Sequence, residues 1–164
     1  MPALEQNISP ERYRLIPRTL IFVRRGADYL LIKGSPEKSS WGGKYNGVGG
    51  HVERGEHVIA AAQRELIEET GLRAELSLCG MLIVDAGETG ILLFILLGED
   101  PTGKLISSLE GLPEWVPFDQ VARLPVVEDL PVIIAKIHGM KAGDYPFIGK
   151  SYYDAENKLR VVFD

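Results

Sequence analysis

Residues 50–72 read GHVERGEHVIAAAQRELIEETGL, and this stretch limits the possible folds more than any other part of the chain. Strong helix formers fill its second half, and Gly71 stands where a C-cap glycine would. The pattern predicts a helix from about His57 to Thr70. On that helix Glu65, Glu68 and Glu69 fall at i, i+3 and i+4 and share one face. Ile59, Leu66 and Ile67 lie away from them and are expected to pack on a sheet. Ala61, one turn before Glu65, sits on the acidic face. Its small side chain leaves room for ligands, and its helix propensity explains it equally well.

Two physical situations fit such a cluster. On a solvated face, like charges at this spacing cost only about 0.2–0.5 kcal/mol per pair. If partly buried, each pair would repel by roughly 3 kcal/mol at an effective dielectric near 20, and only cations would keep the cluster together. A glycine-rich loop, Gly47 to Gly50, runs in just before the helix. Hard oxygen ligands beside a close-approaching backbone suit Mg²⁺, or Mn²⁺, held together with substrate phosphates.

The fixed spacing carries more information than the cluster alone. Gly50, Glu56, Arg64-Glu65-Leu66, Glu68-Glu69 and Gly71-Leu72 match G-x5-E-x7-R-E-U-x-E-E-x-G-U at every fixed position, with U aliphatic. This resembles the box of the Nudix hydrolases, MutT-like enzymes that cleave a nucleoside diphosphate linked to another group. The resemblance implies that Glu65, Glu68, Glu69 and the carbonyl of Gly49 hold metal. It implies as general base either a box glutamate, Glu68 or Glu65, or a later loop acid, Glu110. For Glu110 a solvated loop carboxylate is the alternative. Arg64 and Glu56 have the chemistry of a charge pair pinning loop to helix. Gly50 is expected to let the backbone turn or approach a ligand closely.

A narrower resemblance concerns the substrate. Lys44-Tyr-Asn46-Gly-Val-Gly-Gly50 and the tail Phe147-Ile-Gly-Lys-Ser-Tyr-Tyr153 are similar to the oxidised-purine nucleoside triphosphatases within that family. This implies base contact by Asn46, whose amide both donates and accepts, although a turn role beside Gly47 is equally open. It also implies base readout by Glu128 and Asp129, which stand at a predicted helix start and have a capping role as the alternative. The chain departs from the subgroup at Val126-Val127, where an aromatic is expected. Stacking would then fall to Trp41 or Trp115, the latter also suited to core packing. Lys33, at a strand end, is a candidate for substrate phosphates, with a solvated strand-end lysine as the alternative.

The resemblance therefore implies a Mg²⁺-dependent pyrophosphohydrolase. It would convert a nucleoside triphosphate, 8-oxo-dGTP-like by preference, to the monophosphate and pyrophosphate. The alternative substrate is ADP-ribose or another nucleoside-diphosphate derivative. A nucleotide-sensing module that has lost its chemistry would not keep all the box glutamates. A nucleic-acid polymer is disfavoured as partner, because the net charge is −5 and no Lys/Arg cluster stands out.

The rest of the chain fits one α/β domain over residues 13–164 behind a polar arm, residues 1–12. Strands are expected at Thr19–Val23 and Tyr29–Lys33, a loop at Ser35–Lys44, and a glycine-rich strand at Tyr45–Val52. Beyond the helix, strand patterns follow at Glu75–Asp85, Ile91–Leu97, Gly103–Ser107 and Glu114–Pro117, then a helix at about Asp129–His138. Phe147–Tyr153 and Lys158–Phe163 read as a closing hairpin. Helices on both faces of a mixed central sheet are expected, similar to the Nudix α/β/α sandwich. Cys79, the single cysteine, excludes an internal disulfide and reads as a buried thiol. No signal-peptide core opens the chain, and its longest apolar run is too short to span a bilayer, so a cytoplasmic protein is expected. The oligomeric state has no signature in the sequence.

Overall fold

Two strands with uninterrupted apolar runs organise the molecule, because a strand without polar alternation must be covered on both faces. A computed structural model describes Gln6, Ser9, residues 11–37 and residues 41–164. Most of the expected arm, and positions 38–40 of the expected loop, lie outside the described residues. The elements are β1 (Arg14–Arg25), β2 (Asp28–Gly34), β3 (Tyr45–Asn46), α1 (Val58–Thr70), β4 (Leu72–Val84) and β5 (Thr89–Gly103). They continue with β6 (Gly111–Pro117), α2 (Phe118–Val121), α3 (Leu130–His138), β7 (Phe147–Tyr153) and β8 (Leu159–Phe163).

The described strands form one eight-stranded sheet, ordered β3-β2-β1-β5-β4-β7-β8, with β6 paired on β2. β1–β5 and β4–β7 are parallel, and the other pairs are antiparallel, so the sheet is mixed. Successive residues of β1 and β2 part to opposite faces, as strand geometry requires. Ile21, Val23, Leu30 and Ile32 pack with Ala62 and Leu66 of α1. Leu20, Phe22, Tyr29 and Leu31 pack with Leu130, Ile133, Ile134 and Ile137 of α3. The result is the expected α/β/α sandwich, with two apolar layers separated by the sheet.

Several boundaries differ from the sequence pattern for identifiable reasons. β5 runs on to Gly103 because β4 pairs with it from Leu72 to Val84, through two register shifts. Residues 104–107, expected as part of a strand, lie outside any strand. β3 ends at Asn46, and the glycine-rich segment after it pairs with β1 through bridges from Val48 to Ile21 and from His51 to Arg18. The short α2 carries no periodic signal, since four residues make only one turn. Ile67 is half-buried and belongs to neither core layer, whereas Ala62, four residues before Leu66, takes the packing position.

Cys79 is buried, and burial pushes its thiol pKa up to about 12. That is the chemistry of an inert packing thiol rather than a nucleophile. Among the described residues, no helix is long and apolar enough to cross a membrane.

Candidate active site

The acidic cluster sits in the half of α1 least hospitable to it. The helix starts at an N-cap His57, whose Nδ1 accepts the Ala60 N–H at 3.3 Å. It ends on Gly71 at φ +73°, whose N–H bonds the Ile67 carbonyl. The first turn holds no acid and the last turn no base. Glu65, Glu68 and Glu69 thus crowd towards the end where the helix dipole is negative. Helix stability does not explain that placement, so the explanation lies in what the acids face.

Arg64 supplies the local counter-charge. Its Nε and Nη2 meet Glu56 Oε1 and Oε2 at 2.8 and 2.9 Å, a two-pronged pairing. Its Nη1 meets Glu65 Oε1 at 2.7 Å and Glu68 Oε2 at 3.3 Å, and Nη2 donates to the His51 carbonyl at 3.2 Å. One guanidinium thereby ties the incoming loop to the helix, as the Arg64–Glu56 pairing expected from the sequence requires. The Arg64 hydrogen bond, helped by the Glu53 N–H, lowers the Glu56 pKa to about 2. Arg64 is held above its ordinary value by the hydrogen bond to Glu56 first, then that to Glu65.

The three glutamates occupy different environments. Glu69 is buried, and its Oε2 accepts the Gly49 N–H at 3.3 Å. The Glu65 side chain is 14% exposed and lies against Gly50, where any Cβ would collide with its carboxylate. The Glu68 side chain is 59% exposed. Gly49 lies at φ +156°, and a Cβ there would run into the Thr19 carbonyl. These two glycines let the loop backbone come down directly onto Glu65 and Glu69.

A cavity of about 210 Å³ opens beside that contact. Its floor is sheet: Arg18 and Leu20 from β1, Ile91 and Leu93 from β5, and Val84 from β4. These residues share the α3-facing side, as the register pairs Arg18 with Leu93 and Val84 with Ile91. Around the rim stand Asn46, Gly49, Glu69, Glu110 and Asp129, with Trp41 on one side. Backbone pairing brings the rim together. Tyr45 N–H donates to the Pro125 carbonyl at 2.8 Å, and Val127 N–H donates to the Tyr45 carbonyl at 3.0 Å. The start of α3 is thereby held next to Asn46.

The predicted site residues divide accordingly. Asn46, Gly49, Glu69, Glu110 and Asp129 share the cavity, while Glu65 and Glu68 lie on the adjoining helix face. Lys33 and Glu128 are not among the described residues that line it. Lys33 Nζ stands 5.8 Å from the centroid of the Tyr45 ring. Glu128 is exposed and accepts the Tyr153 hydroxyl at 2.7 Å. Asp129 occupies the N-cap position of α3 but makes no side-chain capping bond. Burial raises its carboxyl above the usual range, and the Glu128 charge adds to this. Val126 and Val127 pack on the α3-side core, and Trp115 packs on the α1-side core. Trp41 packs against that core as well, and it also lines the cavity. Arg18 and Thr19 also line it, and no sequence motif marks them.

The donor set fits a hard divalent cation. It is oxygen-only, two of its carboxylates lie against the backbone of Gly49 and Gly50, and a Cβ at Gly50 would fill the space Glu65 occupies. Among the described residues no three acids are gathered as a ready-made metal cage, because Arg64 draws Glu65 and Glu68 towards itself.

Comparison with known proteins agrees with this geometry. The model of the NUDIX domain matches residues 14–137. The chain is 34% identical over 106 residues to the oxidized purine nucleoside triphosphate hydrolase of Danio rerio, covering 63% of this chain and 67% of that protein. It is 41% identical over 58 residues to the NAD-capped RNA hydrolase NudC of Haemophilus influenzae, covering 35% of this chain and 22% of that protein. Among solved structures, the MutT protein of Bacillus halodurans aligns with a TM-score of 0.77 at 24% identity, covering 92% of this chain and 98% of that one. With the box intact on α1, the loop seated on its acids and the fold shared, the chain belongs to the NUDIX family and is a Nudix hydrolase.

Proposed function

We propose that the protein is a Mg²⁺-dependent pyrophosphohydrolase that converts a nucleoside triphosphate, by preference one with an oxidised purine, to the monophosphate and pyrophosphate. Nudix hydrolases act on nucleotide derivatives and generally use divalent metal ions. The observation that carries this reading is the junction of two sites. The acidic face of α1 meets, at Gly49 and Glu69, a cavity of a size and lining suited to a base.

In this reading Glu65, Glu68, Glu69 and the Gly49 carbonyl would hold the cation. When bound, Mg²⁺ neutralises phosphate charge and makes water more acidic. Glu110, facing the same cavity as Glu69, accepts the proton as water adds to phosphorus and the α–β anhydride P–O bond breaks. Asn46 Oδ1 already accepts the Gly47 N–H at 2.8 Å, so its amide turns N–H groups towards a base. Asp129 offers a carboxyl group from the opposite element, and Trp41 an aromatic surface. Arg64 positions Glu65 and Glu68 rather than touching substrate.

The similarity to an NAD-capped RNA hydrolase supports a second reading, hydrolysis of ADP-ribose or another nucleoside-diphosphate derivative. A panel of nucleotides incubated with Mg²⁺ in ¹⁸O-water, with products weighed by mass spectrometry, separates the two. Pyrophosphate and an ¹⁸O-labelled product from a triphosphate are expected. AMP and ribose phosphate from ADP-ribose, with triphosphates untouched, would replace the first reading by the second.

A further inference from the structure

Arg18 is a charged residue of the cavity that the proposed chemistry does not use. It occupies a floor position otherwise filled by Leu20, Ile91, Leu93 and Val84. Arg18 is half-buried there, so its guanidinium gains from an acceptor brought into the cavity. Its strand parity is fixed, since Leu20 and Phe22, two and four residues on, enter the α3-side core. Across the sheet its register partner is Leu93, so no strand neighbour on that face offers a counter-charge. Among the described residues its side chain makes no hydrogen bond or ion pair with the protein.

Arg18 is the one cation of a cavity whose described lining otherwise brings the carboxylates of Glu69, Glu110 and Asp129. Arg18 only donates, and it never loses its proton. Asn46 accepts the Gly47 N–H on one lone pair of its oxygen and adds two N–H donors beside the guanidinium. A base with a ring carbonyl can accept from such donors, while its neighbouring ring N–H is met by a carboxylate such as Asp129. A base carrying an exocyclic amine at the same position would set donor against donor and leave the half-buried guanidinium without an acceptor.

On the reading that this cavity takes the base, we propose that Arg18 is a specificity-determining residue. Its guanidinium bonds a ring carbonyl and so selects 6-oxopurines over 6-aminopurines. The binding of dIMP and dAMP tests this directly, because the two differ only in the C6 edge. Calorimetric titration of the intact protein is expected to show dIMP bound at least about tenfold more tightly, the discrimination typical of an arginine reading a base edge. Arg18→Met, which keeps length without donors, should bring the two affinities to within about twofold, mainly by weakening dIMP. Arg18→Lys, which keeps a donor but not the fork, should retain part of the preference. Equal binding of both nucleotides by the unaltered protein would overturn the proposal. So would an unchanged preference in Arg18→Met, an equal loss for both ligands, or no binding of either. Because binding is read without turnover, an Arg18-dependent preference together with no triphosphate hydrolysis would sink the proposed reaction and leave Arg18 as the base reader.

Discussion

Glu68→Gln is expected to lower turnover of the best nucleotide substrate by about 10²- to 10⁴-fold while the protein stays folded. The expectation comes from where Glu68 sits. Its side chain is 59% exposed and, among the described residues, pairs with Arg64 at 3.3 Å. Replacing it removes one negative charge from a crowded helix end without opening a cavity, so stability should stay within about 0.5 kcal/mol. A loss of rate without a loss of fold is the mark of a functional charge. Glu110→Gln, made in parallel, separates the two roles. It should slow the reaction and alter its pH–rate profile while leaving cation affinity as it was, whereas Glu68→Gln weakens the cation itself. Full activity in Glu68→Gln would remove the acidic face from the mechanism.

Gly49→Ala should be the most damaging single methyl group in the site. Two costs combine: the backbone is at φ +156°, which L-residues rarely adopt, and the new Cβ meets the Thr19 carbonyl. A backbone atom of β1 cannot swing aside as a side chain can. Overpacking and strain each cost about 1–3 kcal/mol, so a loss of roughly 2–4 kcal/mol is expected in urea denaturation. Gly55→Ala is the internal control. Gly55 has a positive φ of +92° but no atom within 4 Å of the added carbon, so only the strain remains. Similar losses for both would mean that the close approach of loop to strand does not matter. If Gly49→Ala refolds with its loop displaced, activity should fall further than stability, because the Gly49 carbonyl and the Glu69 contact move together.

How much of this was legible in the sequence follows from how local each feature is. The helix, its acids and its glycine cap are encoded within residues 50–72, and periodicity reads them directly. The centres of β1 and β2 are equally legible, because apolar, β-forming runs on either side of a turn read as paired strands. The cavity was not visible. Arg18 reaches it only because β1 lies parallel to β5 in one register, and a shift of one residue would turn Arg18 to the other face. Asp129 meets Asn46 through backbone bonds between Tyr45 and residues 125 and 127, some eighty positions apart. Adjacent residues also part company where the chain turns: Glu128 reaches out to Tyr153 while Asp129 faces inward. Sequence spacing proposes such a pair together, and only tertiary structure separates them. Lys33, a phosphate candidate by its place at a strand end, has its ammonium 5.8 Å from the centroid of the Tyr45 ring, a contact that strand spacing does not reveal.

The account rests on divalent cations gathering at the α1 acids beside Gly49. Titrating Mn²⁺ into the protein with a nucleoside monophosphate present, and following free Mn²⁺ by electron paramagnetic resonance, measures this without turnover. Saturable binding is expected, weakened at least about tenfold by Glu65→Gln and by Glu69→Gln, since each removes a charged oxygen ligand. No bound Mn²⁺ at millimolar concentrations, or binding that both variants leave unchanged, would contradict the central claim.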